Sequence, residues 1–296
     1  MVKKPKSLRV ATCQFSVEGD VVHNRLWILN QIEEAAEHFA DVAHFSECAL
    51  SGYAGVDIPS TADIDWTALE EATRDIMAAA KLHKIWVVLG STHHLDENVK
   101  PHNCLYIISP QGKIVDRYDK RFCTGRAGPK ATLDLCYYTP GNRAVTFEVK
   151  GIKCGVGICY DYRFPELYRG LKQLGVQVLL QSFHNARMSV VADQKYNIWK
   201  TIVPATMQCR AAENHFWVSA NNSTARPSKW ASFTVQPDGE IVGRLKLHKP
   251  GVLITDMAMR GDFFDAPALW RDAAMGNTLH SGSLVEHPRS ADVTCL

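Results

Sequence analysis

Gly155-Val-Gly-Ile-Cys159-Tyr-Asp-Tyr-Arg163-Phe-Pro165-Glu166-Leu-Tyr-Arg169 joins a short apolar run to an amphipathic one. The run up to Ile158 reads as a buried strand, and Pro165 followed by Glu166, Leu167, Leu171 and Leu174 announces a helix. Cys159 therefore stands at a strand-to-helix turn. Such a turn presents a side chain at the carboxyl edge of a sheet, where backbone N–H groups and the positive end of the next helix favour a thiolate. Two readings are open on this stretch alone: a nucleophile, or a strand-end cysteine buried as a small hydrophobe.

The chain on either side repeats this alternation. Leu8 to Phe15 is β-rich, Asn24 to Phe39 carries apolar residues at helical spacing, and Asp41 to Phe45 is again a strand, stopping at Ser46-Glu47. Trp66 to His83 reads as a helix and Ile85 to Gly90 as a buried strand. Asn103 to Ser109 and Lys113 to Tyr118 flank the turn Pro110-Gln-Gly112, with Lys120 directly after. The Gly/Pro-rich segment Cys123 to Asn142 is expected to be a long loop, a kind that is usually functional or mobile. Val145 to Val149 and Lys153 to Cys159 form a strand pair; Val176 to Ser182 is a strand, about Asp193 to Asn214 a long helix and Phe216 to Ala220 a strand. A final hairpin, Ser232 to Val235 with Glu240 to Leu245, leads to Val252 to Thr255 and an irregular tail. With no low-complexity linker between these two similar halves, the expectation is one domain over 1–296, an α/β fold built as a four-layer α-β-β-α sandwich of two mixed sheets with helices outside.

Composition narrows the partners. The 296 residues are 46% hydrophobic, enough for a sizeable core. A net charge of +2 spread through mixed-sign segments lacks the basic stripe that nucleic acid or an anionic membrane surface requires, which leaves a small molecule. Nothing approaches a transmembrane length, and the basic start is followed by a strand's worth of apolar residues, so neither signal peptide nor anchor is expected. Nine cysteines without a CxxC pair or zinc spacing suggest reduced thiols in a cytoplasmic compartment. A redox pair is disfavoured too: five residues of strand separate Cys154 from Cys159, roughly 16 Å.

Glu47, Lys120 and Cys159 each fall where a strand or hairpin runs out. Cleaving an unactivated carbon–nitrogen bond needs a nucleophile, a base that later protonates the leaving amine, and a positive donor for the oxyanion. These three residue types fill those roles; taken singly, Glu47 reads equally as a cap or surface carboxylate and Lys120 as a solvated hairpin charge.

Phe45-Ser-Glu47-Cys-Ala-Leu-Ser-Gly-Tyr53, Arg117-Tyr-Asp-Lys120-Arg-Phe122 and Gly157-Ile-Cys159-Tyr-Asp-Tyr-Arg163-Phe-Pro-Glu166-Leu-Tyr-Arg169, in that order, resemble the nitrilase (carbon–nitrogen hydrolase) superfamily. Cys209-Arg210-Ala-Ala-Glu213-Asn214 and Pro237-Asp-Gly239-Glu240 extend the resemblance over about residues 8–256, leaving 257–296 as a tail. The resemblance implies Cys159 as nucleophile, Glu47 as general base and acid, Lys120 with the Tyr160 N–H as the oxyanion hole, and neither metal nor organic cofactor. A lysine beside a buried thiol favours the thiolate. Many relatives carry a second glutamate seven residues before a Pro-Gly glycine; counting back from Gly141 reaches Asp134, a shorter carboxylate that either positions Lys120 or substrate or is an ordinary loop aspartate.

Cys159-Tyr-Asp161 resembles the amidase and carbamoylase branches more than true nitrilases, where Trp-Glu commonly follows the cysteine. The expected substrate is a small amide or N-carbamoyl compound; a nitrilase and a non-catalytic binding protein on the same fold are the alternatives. Tyr53, Tyr160, His184, Asn185 and Arg187 are candidate substrate-binding residues, with Arg187 or His184 available to pair a substrate carboxylate unless they are ordinary loop charges. The tail, with Phe263, Phe264, Leu269 and Trp270, is too apolar for simple disorder. Family resemblance implies a homodimer or larger homo-oligomer with the tail at an interface; packing on its own domain is the alternative.

Overall fold

Residue parity along the strands builds the core. In the computed structural model, which describes residues 6–96, 98–187 and 198–294, strand β2 (Val42–His44) turns Val42 to one side and Ala43 to the other. Val42 joins a core with Val156, Ile158, Val178 and Leu180, whereas Ala43 packs with Ile28, Ile32 and Ile76 of two helices. Strand β2 is therefore buried on both faces, as a central strand of a sandwiched sheet requires. Each fully buried aliphatic side chain contributes about 1.5–3 kcal/mol.

Two six-stranded sheets carry the fold, in the orders β12-β1-β2-β3-β4-β5 and β11-β10-β9-β8-β7-β6. In the first, β1 (Ser7–Gln14), β2 and β3 (Trp86–His93) are parallel, and β4 (His102–Ile108), β5 (Ile114–Asp119) and β12 (Gly251–Ala258) run antiparallel to their neighbours. In the second, β7 (Ile152–Ile158), β8 (Val178–Ser182) and β9 (Trp217–Asn221) are parallel, with β6 (Thr146–Val149), β10 (Phe233–Val235) and β11 (Ile241–Arg244) antiparallel. The two halves repeat one arrangement. Helix α1 (Val21–Glu37), capped by Asp20, and α2 (Trp66–His83), capped by Asp65, cover the first sheet. Helix α4 (Pro165–Gln173), with Pro at its first position, and α5 (Trp199–Asn214) cover the second through Leu171, Val203, Met207 and Ala211. This is the expected four-layer sandwich.

The expected elements fall within a few residues of those observed, with two differences. Segment 123–142 holds a one-turn helix, α3 (Asp134–Tyr137), and the expected start of α5 at Asp193 lies outside the described residues. Of the tail, Phe263 packs edge-on to Trp217, and Arg271 pairs with Asp265 and donates to the Glu213 carbonyl at 3.0 Å, so this part lies on the chain's own second sheet. Leu279, Leu284 and Val285 stay exposed.

A polar pin crosses the apolar layer between the sheets. His44 Nε2 lies 2.9 Å from Ser182 Oγ and Nδ1 2.8 Å from Ser219 Oγ, while Ser182 Oγ donates to the Phe45 carbonyl at 2.8 Å. Because the carbonyl takes the Ser182 proton, Ser182 must accept from Nε2–H, which leaves Nδ1 to accept from Ser219. Burial pushes the imidazole down to about 3, so it stays neutral. The strand bearing Glu47 is thereby tied to both β8 and β9.

Candidate active site

The carboxyl ends of β2, β7 and β8 and the end of β5 meet at one edge of the sandwich, and Glu47, Cys159, His184 and Lys120 follow them directly. The turn at Glu47 needs space that a side chain on β3 would fill: a Cβ at Gly90 would lie 1.9 Å from the Ser46 carbonyl oxygen and 2.8 Å from Cys48 N. Across the site, Gly141 N–H donates to the Lys120 carbonyl at 2.8 Å, and a Cβ on Gly141 would come within 2.4 Å of the Asp119 carbonyl oxygen. These two glycines are requirements of close approach.

Glu47 is fully buried and accepts three hydrogen bonds. Its Oε1 accepts from Lys120 Nζ at 2.7 Å and from Asn103 Nδ2 at 2.8 Å, and its Oε2 from the His184 backbone N–H at 2.9 Å. Lys120 Nζ also donates to Asp134 Oδ2 at 2.8 Å and contacts the Tyr53 hydroxyl at 3.3 Å. Desolvation works against the ammonium, but Glu47, Tyr53 and Asp134 around it outweigh burial and hold Lys120 well above the usual lysine value. Asp134, at the start of α3, is itself pinned by the Tyr53 hydroxyl at 2.5 Å and by the Thr124 N–H at 3.0 Å. Burial alone pushes its carboxyl up, yet Lys120 and the Tyr53 and Thr124 hydrogen bonds bring it below the usual aspartate range.

Cys159 has a left-handed φ of 38° where β7 breaks into a 3-10 turn, Cys159–Arg163. A non-glycine residue there is strained, and the neighbourhood fixes it. Asp161 Oδ2 accepts from the Ile158 N–H at 3.1 Å and the Tyr118 hydroxyl at 2.8 Å, and its Oδ1 from the Phe122 N–H at 2.9 Å. Asp161 thus braces the cysteine turn against the lysine loop, and burial lifts its carboxyl to about 6. The 3-10 geometry leaves the Tyr160 N–H without an intrahelical acceptor. The thiol departs from the expected thiolate. Burial and the Glu47 carboxylate, acting by charge and as hydrogen-bond acceptor, outweigh Lys120 and hold Cys159 well above the usual thiol value, so the resting group is S–H facing a ready base.

A cavity of about 270 Å³ opens against Cys159, walled by Tyr160, Tyr162, Phe183, Trp199 and Val203, with Asn185 in its side. The wider cleft of about 400 Å³ between α2 and the edge of β3 and β4, at Trp66, Met77, His93 and Tyr106, contains none of these groups.

The carbon-nitrogen hydrolase family model matches residues 9–261. The chain belongs to that family. Among its relatives, this carbon-nitrogen hydrolase is 28% identical over 249 residues to the nitrilase and fragile histidine triad fusion protein NitFhit of Caenorhabditis elegans, a match covering 79% of this chain and 53%, about half, of the fusion. It is 28% identical over 219 residues to the 2-oxoglutaramate amidase of Bacillus subtilis, covering 74% of this chain and 73% of the relative. Its fold matches an amidase variant from Nesterenkonia sp. AN1, solved with the acetamide moiety of fluoroacetamide on its active-site cysteine, at a TM-score of 0.71 and 22% identity over 87% of this chain and 93% of that one.

The structure of this hydrolase brings Glu47, Lys120, Cys159 and Asp134 together, and Tyr53 joins them through Lys120 rather than as an apolar wall. Tyr160 and Asn185 line the cavity. His184 and Arg187 are paired within the protein: His184 Nε2 lies 2.5 Å from Asp57 Oδ2, and Arg187 Nε donates to Asp57 Oδ1 at 2.7 Å. Asp57 is fully buried at its side chain and also accepts the Tyr53 N–H at 3.0 Å. Sequence reasoning missed Asn103, Asp57 and the bracing role of Asp161. Only Asn103 carries a faint signal, as a polar residue at the start of an otherwise apolar strand.

Proposed function

We propose that this chain is a cysteine-dependent hydrolase of a small amide or N-carbamoyl substrate, releasing ammonia through a thioester. The observation that carries the reading is the buried ion pair of Lys120 and Glu47, 2.7 Å apart, beside the Cys159 side chain. As the sulfur attacks the carbonyl carbon, Glu47 takes the thiol proton. The oxyanion forms between Lys120 Nζ and the Tyr160 N–H, the positions that a developing charge needs. Collapse breaks the C–N bond, Glu47 returns the proton to nitrogen and ammonia leaves. Water then attacks the thioester with Glu47 again as base, which releases the acid and restores the thiol. Asp134 serves as a second carboxylate holding Lys120. The cysteine adduct of the Nesterenkonia amidase supports a cysteine nucleophile, and the amidase name of the Bacillus relative supports an amide substrate.

The rest of the proposal is one domain over 1–296 working in the cytoplasm, and a homo-oligomer, which the exposed Leu279, Leu284 and Val285 of the tail support. Ammonia release from a panel of amides, carbamoyl compounds and nitriles, compared with Cys159→Ala, tests the activity. Release abolished by the substitution is expected; a panel without any release sinks the reading, and preference for nitriles moves it to a nitrilase. A monomeric mass in solution contradicts the oligomer.

A further inference from the structure

The cavity against Cys159 has an unusual electrical character for a site ringed by ionisable groups. Tyr160, Tyr162, Phe183, Trp199 and Val203 form its walls, and none of the described lining residues is charged. Three cations around it are paired within the protein: Lys120 with Glu47 and Asp134, Arg187 with Asp57 and the Val17 carbonyl, His184 with Asp57. Arg163 lies with its guanidinium 4.7 Å from the Tyr162 ring centroid. A substrate carboxylate entering here gives up its water and meets no counter-charge among the described lining residues, an unfavourable exchange. The polar atoms left over are neutral. Asn185, only 7% exposed, has an Oδ1 with no hydrogen-bond partner. Buried polar groups are normally satisfied, and an unpaired carboxamide in the wall of a cavity can turn to meet a ligand. In size, an enclosed apolar cavity of roughly 150 Å³ accepts benzene. About 270 Å³ accommodates an aromatic ring together with a carboxamide.

We infer that the cavity selects an uncharged amide with an aromatic or bulky apolar acyl group, and that the Asn185 carboxamide hydrogen-bonds the substrate's amide N–H and so determines specificity. This rests on the amidase reading and narrows its substrate class. A site that provides one neutral hydrogen-bond partner rejects analogues that cannot use it.

The test compares phenylacetamide with succinamic acid, an amide carrying a carboxylate, on the full-length enzyme and on Asn185→Ala, Asn185→Ser and Leu133→Arg, the last adding a cation at an exposed rim position of the cavity. The expected kcat/KM for phenylacetamide exceeds that for succinamic acid by about a hundredfold; Asn185→Ala and Asn185→Ser lower it by about tenfold, mostly in KM, and Leu133→Arg narrows the gap at least tenfold. Calorimetric binding of both compounds to Cys159→Ala reads the cavity without turnover. Tighter binding of phenylacetamide there, with no ammonia from any amide in the wild type, overturns the amidase reading and keeps the cavity's preference. Equal or better use and binding of succinamic acid overturns the inference and leaves the amidase reading standing. Phenylacetamide kinetics unchanged in both Asn185 variants overturn the role of Asn185.

Discussion

Asp134 Oδ2 lies 2.8 Å from Lys120 Nζ, so the ammonium is held between two carboxylates, the other being Glu47 at 2.7 Å. One lysine offset by two anions is a setting in which removing either anion changes both charge and position. Asp134→Asn keeps the shape and removes the charge, and the expected result is a loss of about ten- to a hundredfold in kcat with a small change in KM. Asp134→Glu, which restores the charge on a longer arm, should recover part of that loss. Steady-state ammonia release measures both, and wild-type activity in Asp134→Ala removes the residue from the site.

The Cys159 thiol is raised by burial and by Glu47, and lowered by Lys120. Taking away the Glu47 charge leaves Lys120 opposed only by burial and Asp134, so in Glu47→Gln the thiol value falls. Alkylation by iodoacetamide at neutral pH should therefore be faster in Glu47→Gln than in wild type, while amide hydrolysis drops by about a thousandfold or more because no base remains. The two effects move in opposite directions. A slower alkylation in the variant shows that Glu47 does not hold the thiol protonated.

His184 and Asp57 make a buried pair whose pH dependence has a definite sign. Desolvation lowers the His184 value, but Asp57 outweighs it and the folded value is raised above the ordinary one of about 6.5. The contribution to stability is then fully present below pH about 6.5 and is lost as pH rises through the folded value. For Asp57 the folded value is lowered, so its share is present above the ordinary aspartate value of about 3.9 and is lost as pH falls through the folded one. Asp57→Asn leaves Arg187 and His184 without their shared counter-charge and should cost about 3–5 kcal/mol between these limits. Denaturant unfolding at several pH values measures it, and a difference that does not shrink on the alkaline side contradicts the pair.

The contrast between Glu47 and Arg187 shows how much of this molecule is legible in its sequence. Strand ends announce themselves locally, through an apolar run that stops, so Glu47, Lys120 and Cys159 can be placed from short stretches together with their family resemblance. Whether a cation is free depends on who stands opposite, and the acceptor of Arg187 is 130 residues away in a loop with no periodic pattern. The same holds for Asn103, which reaches Glu47 across 56 residues, and for His44, whose serine partners lie on the other sheet. The state of Cys159 depends on a balance of burial against two opposite charges, and the presence of a lysine alone gives the wrong sign. Apolar parity specifies layers; polar pairing across the layers is set by tertiary contacts that leave no local trace.

Gly90 and Gly170 separate close approach from simple flexibility. A methyl group on Gly90 meets the Ser46 carbonyl oxygen at 1.9 Å and Cys48 N at 2.8 Å, all backbone, so nothing there can rotate away. Gly90→Ala must push the Glu47 turn off β3, breaking the 2.9 Å bond from Leu50 N–H to the Gly90 carbonyl or moving Glu47 relative to Lys120. Overpacking of this kind costs about 1–3 kcal/mol or more, and a misplacement of about 1 Å at a catalytic group costs about a hundredfold in rate. Gly170 lies inside α4, and a methyl group added to it meets nothing within 4 Å, so Gly170→Ala should raise stability by about 0.5–1 kcal/mol through helix propensity and leave activity unchanged. Thermal unfolding and ammonia release on the two variants test both halves at once. An active, stable Gly90→Ala shows that the turn holding Glu47 can move without consequence, and that its fit against β3 does not set the geometry of the base.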